Sequence, residues 1–221
     1  AGRRKGGRQI GGQAIDCDGA VETEVNNLGA ESEKQFGPID LSLNNAAVAT
    51  GGNPLETPID VWQDQWNINV MAHVYAVRAV LPGMLARGQG YLLHTASMAG
   101  ILTSQGNLPY ATTKHAVVGL AEWLSISYHD KGIRVSLLAP LGVRTPMLGD
   151  ISSPFAVSAA GPIKEPEDVA DMVVLGVQSE SFLILTDPIA QTWMERKTND
   201  PERWLTGMRR LQVKMDSAPN A

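Results

Sequence analysis

Tyr110 and Lys114 stand four residues apart at the head of an apolar, helix-spaced stretch. That interval puts both side chains on one helix face, one turn from each other. A phenol beside an ammonium is an arrangement for moving protons. The positive charge favours the phenolate and lowers a pKa that is otherwise about 10, towards the range where the group serves as acid and base near neutrality. Ser97 lies just past a short apolar strand, the place where open α/β sheets bind ligands, and its hydroxyl can hold a carbonyl or hydroxyl oxygen. Asn69 stands further upstream. Taken alone, Tyr110 and Lys114 read better as a surface tyrosine and a solvated lysine than as a site. Order makes them a candidate site: a strand, Ser97, Tyr110 with Lys114, then another strand ending at Pro140.

The elements that must position these residues alternate between strands and amphipathic helices, the pattern of a parallel sheet covered on both faces. Strands are expected at 39–43, 91–96, 133–138 and 182–186. Thr57-Pro58-Ile59-Asp60 has the composition of a helix start, with Thr57 as cap and Pro58 in the first turn. That helix should bury Trp66, Val70, Val74 and Val77 and end before Pro82. The Tyr110 helix runs to about Tyr128 with Val117, Leu120, Ala121 and Leu124 at core spacing. Further helices open at Pro166 and, capped by Asp200, at Pro201. The last carries Trp204, Met208 and Leu211, a stripe read as core. Residues 148–166, rich in Ser, Gly, Pro and Ala, are expected to form a substrate lid, and 188–221 a helical extension, all within one domain spanning 1–221.

With these residues in place, the chain resembles the short-chain dehydrogenase/reductase family. Leu43-Asn44-Asn45-Ala46-Ala47 is similar to the family's Asn-Asn-Ala-Gly turn, and Asn67-Ile68-Asn69-Val70 to its segment bearing the catalytic Asn. Thr95-Ala96-Ser97-Met98-Ala99-Gly100 resembles the serine segment, and Tyr110-Ala111-Thr112-Thr113-Lys114 the tyrosine–lysine motif. Pro140-Leu141-Gly142-Val143-Arg144-Thr145 resembles the segment holding the nicotinamide carboxamide. The resemblance implies a Rossmann-like, doubly wound α/β fold and an NAD(P)-dependent oxidoreductase that interconverts a hydroxyl and a keto group. It casts Tyr110 as general acid/base and Lys114 as the residue that tunes it and binds the nicotinamide ribose. Ser97 would steady the reacting oxygen, and Asn69 would hold a proton-relaying water. Asn44 and Ala46 would line the cofactor, and Pro140, Val143 and Thr145 the carboxamide end. Asp18 is either the adenine contact or a simple turn residue. A homodimer or homotetramer, paired through the helices that begin near Thr57 and Tyr110, is implied too.

Three departures qualify the match. Ala47 stands where the family has Gly, and Leu141 replaces the Gly that commonly follows Pro140. No strand leads into a Gly-x-x-x-Gly-x-Gly turn, the feature that lets backbone approach a pyrophosphate. Gly6-Gly7 and Gly11-Gly12 lack the preceding strand that this fingerprint needs. Ala1-Gly2-Arg3-Arg4 reads instead as the tail of the family's second strand, where Arg3 and Arg4 would receive the extra phosphate of NADP, slightly favoured over NAD. The first strand–helix unit is accordingly expected to be missing, which leaves a second reading: a truncated or degenerate member without activity.

Composition narrows the rest. The chain has 221 residues, of which 43% are hydrophobic and 19% charged, and a net charge of −5. That suits one α/β domain and argues against a nucleic-acid partner. Cys17 is the single cysteine, so no internal disulfide forms and no metal-ligand spacing appears; a cytoplasmic setting is expected. No apolar run in the sequence approaches the ~20 residues of a bilayer span. His94, His115 and His129 pair with no nucleophile and read as structural. The Ser97 segment is not a Gly-x-Ser-x-Gly elbow, which counts against a serine hydrolase. The substrate should be small and fairly apolar, its pocket shaped by Met98, Leu102, Met147 and the 148–166 loop.

Overall fold

The computed structural model describes residues 12–148 and 161–217. Arg3, Arg4 and most of the expected lid, 149–160, lie outside the described residues. The elements run α1 (Glu22–Phe36), β1 (Leu41–Asn44), α2 (Ile59–Trp66), a π-helical turn (Asn67–Met71), α3 (Ala72–Arg87), β2 (Gly90–Thr95) and α4 (Ala99–Leu102). There follow α5 (Leu108–Tyr128), β3 (Ile133–Ala139), α6 (Pro166–Gln178), β4 (Leu183–Leu185), α7 (Pro188–Asn199) and α8 (Pro201–Asp216).

The four strands form one parallel sheet in the order β1-β2-β3-β4, and the fold is α/β and Rossmann-like. Side chains alternate across a strand, so neighbouring residues of β2 and β3 feed different cores. Leu92, Val135 and Leu137 pack under α3 and α5 with Val80, Met84, Val117 and Ala121. Leu93 and Leu138 point the other way and meet Val169 of α6 and Ile184 of β4. The strongly apolar run of β3, buried along nearly its whole length, is what a central strand covered on both faces requires.

Some expectations are corrected. Thr57 does not cap α2; its hydroxyl is buried without a partner. Helix formation does not stop before Pro82. The ring sits on the exposed side of α3, and the helix continues to Arg87, closing at Gly88 in the left-handed conformation. Helical structure is therefore continuous over Ile59–Arg87, 29 residues that are long and apolar enough to cross a membrane by length and composition alone. This run packs against β1, β2 and α5 instead and buries the polar Gln65, Asn69 and His73, which marks it as a core helix. Trp66, expected inside, is 38% exposed. Helix α1 has no strong apolar stripe to announce it. It opens at an Asp18 turn, where the Ala20 N–H donates to the carboxylate at 2.9 Å and the Asp18 N–H donates to Glu24 at 2.7 Å. Asp187 and Asp200 cap α7 and α8 by accepting from the backbone N–H of Ile189 and Arg203, each at 3.0 Å.

Candidate active site

A cavity of about 1230 Å³ opens at the carboxyl ends of β1, β2 and β3, lined by Ala46, Ser97, Tyr110, Lys114, Pro140, Val143 and Thr145 among others. Ser97 stands two residues past the end of β2. Its neighbour's N–H, that of Met98, donates to the Pro140 carbonyl at 2.9 Å, which locks the serine segment to the end of β3. The Ser97 hydroxyl accepts from the Ala99 N–H at 3.1 Å and lines the cavity together with Tyr110. Helix α4 lies so close to α5 that a Cβ on Gly100 would stand 2.5 Å from the Lys114 carbonyl oxygen. Glycine there brings Ser97 and Lys114 within reach of one another.

Lys114 is 1% exposed. Its ammonium donates to the Thr95 carbonyl at 2.8 Å and sits 5.6 Å from the centre of the Tyr110 ring. Burial disfavours the charged amine and lowers it to about 8. Tyr110 moves opposite to the sequence-based expectation: burial raises the phenol above its usual 10, with the Ser97 hydroxyl opposing. In this state Tyr110 rests as a neutral phenol.

Asn69 lies in the π-helical turn and is fully buried. Its amide group accepts from the Val48 N–H at 2.8 Å and donates to the Val48 carbonyl at 2.9 Å and the Thr113 hydroxyl at 3.0 Å. Thr113 in turn donates to the Tyr110 carbonyl at 2.8 Å. The side chain thus joins the loop after β1 to the helix bearing the tyrosine. The Pro140 segment is held by a bridge to the far end of the expected lid: the Arg144 N–H donates to the Lys164 carbonyl at 2.9 Å and the Lys164 N–H to the Gly142 carbonyl at 3.0 Å. Leu141, the departure from the family's Gly, packs with Met98, Leu102 and Trp193, so its side chain joins the wall.

Not every expected residue comes to this cavity. Asn44, Asn69 and Asp18 are not among its lining residues. Asn44 carries a buried, unpartnered amide nitrogen at the end of β1, while Asp18 makes its exposed turn. Two features escaped the sequence reading. His73 and His94 are buried and joined Nδ1 to Nδ1 at 2.9 Å, next to the strand residue whose carbonyl holds Lys114. Burial lowers them to about 2 and about 4, so both rings are neutral, and a single shared hydrogen requires opposite tautomers. The second feature is the far wall. Trp193 of α7 and Trp204, Met208 and Leu211 of α8 line the cavity, whereas the stripe on α8 was expected to be core. No residue of α8 is fully buried. An i, i+4, i+7 stripe looks the same in sequence whether it faces a core or a cavity.

The short chain dehydrogenase family model matches residues 5–154, and the chain belongs to that family. It is 32% identical over 190 residues to a 1-deoxy-11-beta-hydroxypentalenate dehydrogenase of Streptomyces exfoliatus, covering 85% of this chain and 69% of that one. A cyclohexanol dehydrogenase of Acinetobacter sp. strain SE19 is 30% identical over 172 residues, covering 76% and 65%. The chain thus spans about two thirds of the length of these curated relatives. In fold it is similar to a short-chain dehydrogenase from Streptomyces avermitilis, with TM-score 0.75 and 22% identity over 92% of this chain and 82% of that one.

The chain is of a dehydrogenase kind whose named relatives act on hydroxyl groups. The cavity has room for more than one small ligand. It lies at the carboxyl edge of a parallel sheet, and its volume exceeds the ~300–1,000 Å³ usual for one small ligand.

Proposed function

We propose that this protein interconverts a hydroxyl and a keto group on a small, apolar ring compound, with Tyr110 as general acid/base. The observation that carries the reading is the Ser97–Tyr110–Lys114 cluster: a phenol and a serine hydroxyl lining one cavity, beside a buried ammonium, at the mouth of the sheet. The name of the cyclohexanol dehydrogenase supports a ring alcohol as substrate.

NAD(P) supplies the hydride when bound. Lys114, Ala46, Pro140, Val143 and Thr145 would hold its nicotinamide end, and Asn44 the turn beside it. Asp18 and, for the extra phosphate of NADP, Arg3 and Arg4 would serve the adenosine end. In the reduction direction Ser97 holds the ketone oxygen against the Tyr110 hydroxyl. As negative charge grows on that oxygen, the phenol proton moves to it, which the neutral resting state of Tyr110 favours. Lys114, its ammonium 5.6 Å from the centre of the Tyr110 ring, stabilises the phenolate charge until a proton returns to the phenolate from solvent water. Asn69 acts from behind, fixing the turn from which a proton-relaying water would be held. The exposed Ile59 and Trp66 of α2 and Trp123 and Ile126 of α5 support pairing of copies through these neighbouring helices.

The test is turnover and binding together. The protein should quench or enhance NADPH or NADH fluorescence on binding and consume the reduced cofactor with methyl 4-oxocyclohexanecarboxylate. Absence of binding by either cofactor at millimolar levels would favour the inactive-member reading.

A further inference from the structure

The helical pair α7–α8 holds an apolar stripe that packs at Trp204 and Trp193 against Met98, Leu102 and Ala190 and otherwise faces the cavity. Along α8, Trp204, Met208 and Leu211 recur at i, i+4 and i+7, the spacing of one helix face. That face is only half-buried, yet it is turned towards the protein and lines the cavity with Trp193. The pair is firmly seated: Lys197 of α7 donates to the Ile101 carbonyl of α4, Ala190 is fully buried, and the Gln105 amide reaches the Met208 sulfur at 3.8 Å. Gly161, at φ 70°, lies where an added Cβ would be 3.1 Å from both Trp193 and Leu141, so glycine there lets the chain approach both side chains closely. A fixed apolar roof therefore faces the reacting residues across open space.

Charge is distributed one-sidedly. Among the described residues lining the cavity, Lys114 is the one charged side chain, and its ammonium is already bonded to Thr95. An anionic substrate entering beneath α8 would lose hydration against an apolar wall, with the buried Lys114 of the reacting cluster as the one described cation lining the cavity, which is costly in an apolar site.

Resting on the proposed ketone/alcohol chemistry of this site, we infer that Trp193, Trp204 and Met208 form a specificity-determining roof that selects uncharged alicyclic substrates and rejects the same ring bearing a carboxylate.

The experiment uses the full chain labelled with 5-fluorotryptophan, with and without saturating NADP, followed by fluorine NMR. The probes are methyl 4-oxocyclohexanecarboxylate and the corresponding free acid, which share a ring and differ in charge. The ester should move the Trp193 and Trp204 signals and leave Trp62, Trp66 and Trp123 in place. The acid should bind at least tenfold more weakly. Trp204→Ala should weaken the ester at least fivefold, and Met208→Lys should reverse the preference in favour of the acid. Equal or tighter binding of the acid by the unaltered protein, shifts confined to other tryptophans, or an unchanged preference in Met208→Lys would overturn the inference. Ester reduction that Trp204→Ala leaves unchanged would remove this roof while keeping the oxidoreductase reading. Selective binding without reduction would do the reverse.

Discussion

Acid should unfold this protein through two side chains. In the unfolded chain His73 and His94 each take up a proton below about pH 6.5, whereas in the fold burial lowers them to about 2 and about 4. Between those limits the unfolded state binds more protons, so stability is full above pH 6.5 and falls as the pH drops towards 4. From pH 7.5 to 5.0 each imidazole removes about 2 kcal/mol, the pair about 4 kcal/mol. Lys114 is also lowered, but its loss falls between its ordinary 10.5 and about 8 and adds only a few tenths of a kcal/mol below pH 7.5. With a urea slope of about 2–3 kcal/mol per molar, the midpoint should drop by roughly 1.5–2 M. The assay is urea unfolding followed by far-ultraviolet circular dichroism at pH 7.5, 6.5 and 5.0. The double variant His73→Leu/His94→Leu replaces both partners by apolar groups, which avoids leaving one ring unpaired. It should lose this part of the pH dependence. If the wild type and the double variant lost stability in parallel, the buried pair would not be the acid-sensitive element.

Other perturbations follow from the same geometry. Gly100→Ala should force α4 away from α5 at the Lys114 carbonyl, destabilising by about 1–3 kcal/mol and lowering turnover more than cofactor affinity, read from thermal melts and steady-state kinetics. Asn69→Ala removes three hydrogen bonds linking the Val48 loop to Thr113; a stability loss of about 2–4 kcal/mol should accompany a fall in turnover. Trp123→Glu combined with Ile126→Glu should shift sedimentation towards the monomer, since both side chains lie exposed on α5; an unchanged profile would remove that helix from any interface.

The reach of the sequence differed between elements for physical reasons. Ser97, Tyr110 and Lys114 were legible because their spacing falls on strand ends and one helix turn, and the fold brings all three to one cavity. The strands β2 and β3 were legible as apolar runs between turn residues. Helix α1 was not, because its apolar residues are few and its start depends on the Asp18 turn rather than on a stripe. Pro82 misled because a proline on the exposed side of a well-packed helix is tolerated when burial of Val77, Val80, Leu81 and Met84 holds the helix on both sides. The His73–His94 bond joins residues 21 positions apart, a tertiary contact that no local pattern encodes. Periodicity placed the face of α8 correctly but could not tell a core from a cavity, and that difference carries the specificity.

The most direct test of the central claim is the Tyr110→Phe variant, which removes one hydroxyl and nothing else from the Ser97–Tyr110–Lys114 cluster. Cofactor binding, followed by NADPH or NADH fluorescence, should stay within about twofold of the unaltered protein, while ketone-dependent consumption of the reduced cofactor falls by at least ~10²-fold, the scale of a lost general acid. Turnover that survives the loss of that hydroxyl would contradict the assignment of Tyr110 as the proton donor and, with it, the mechanism proposed for this site.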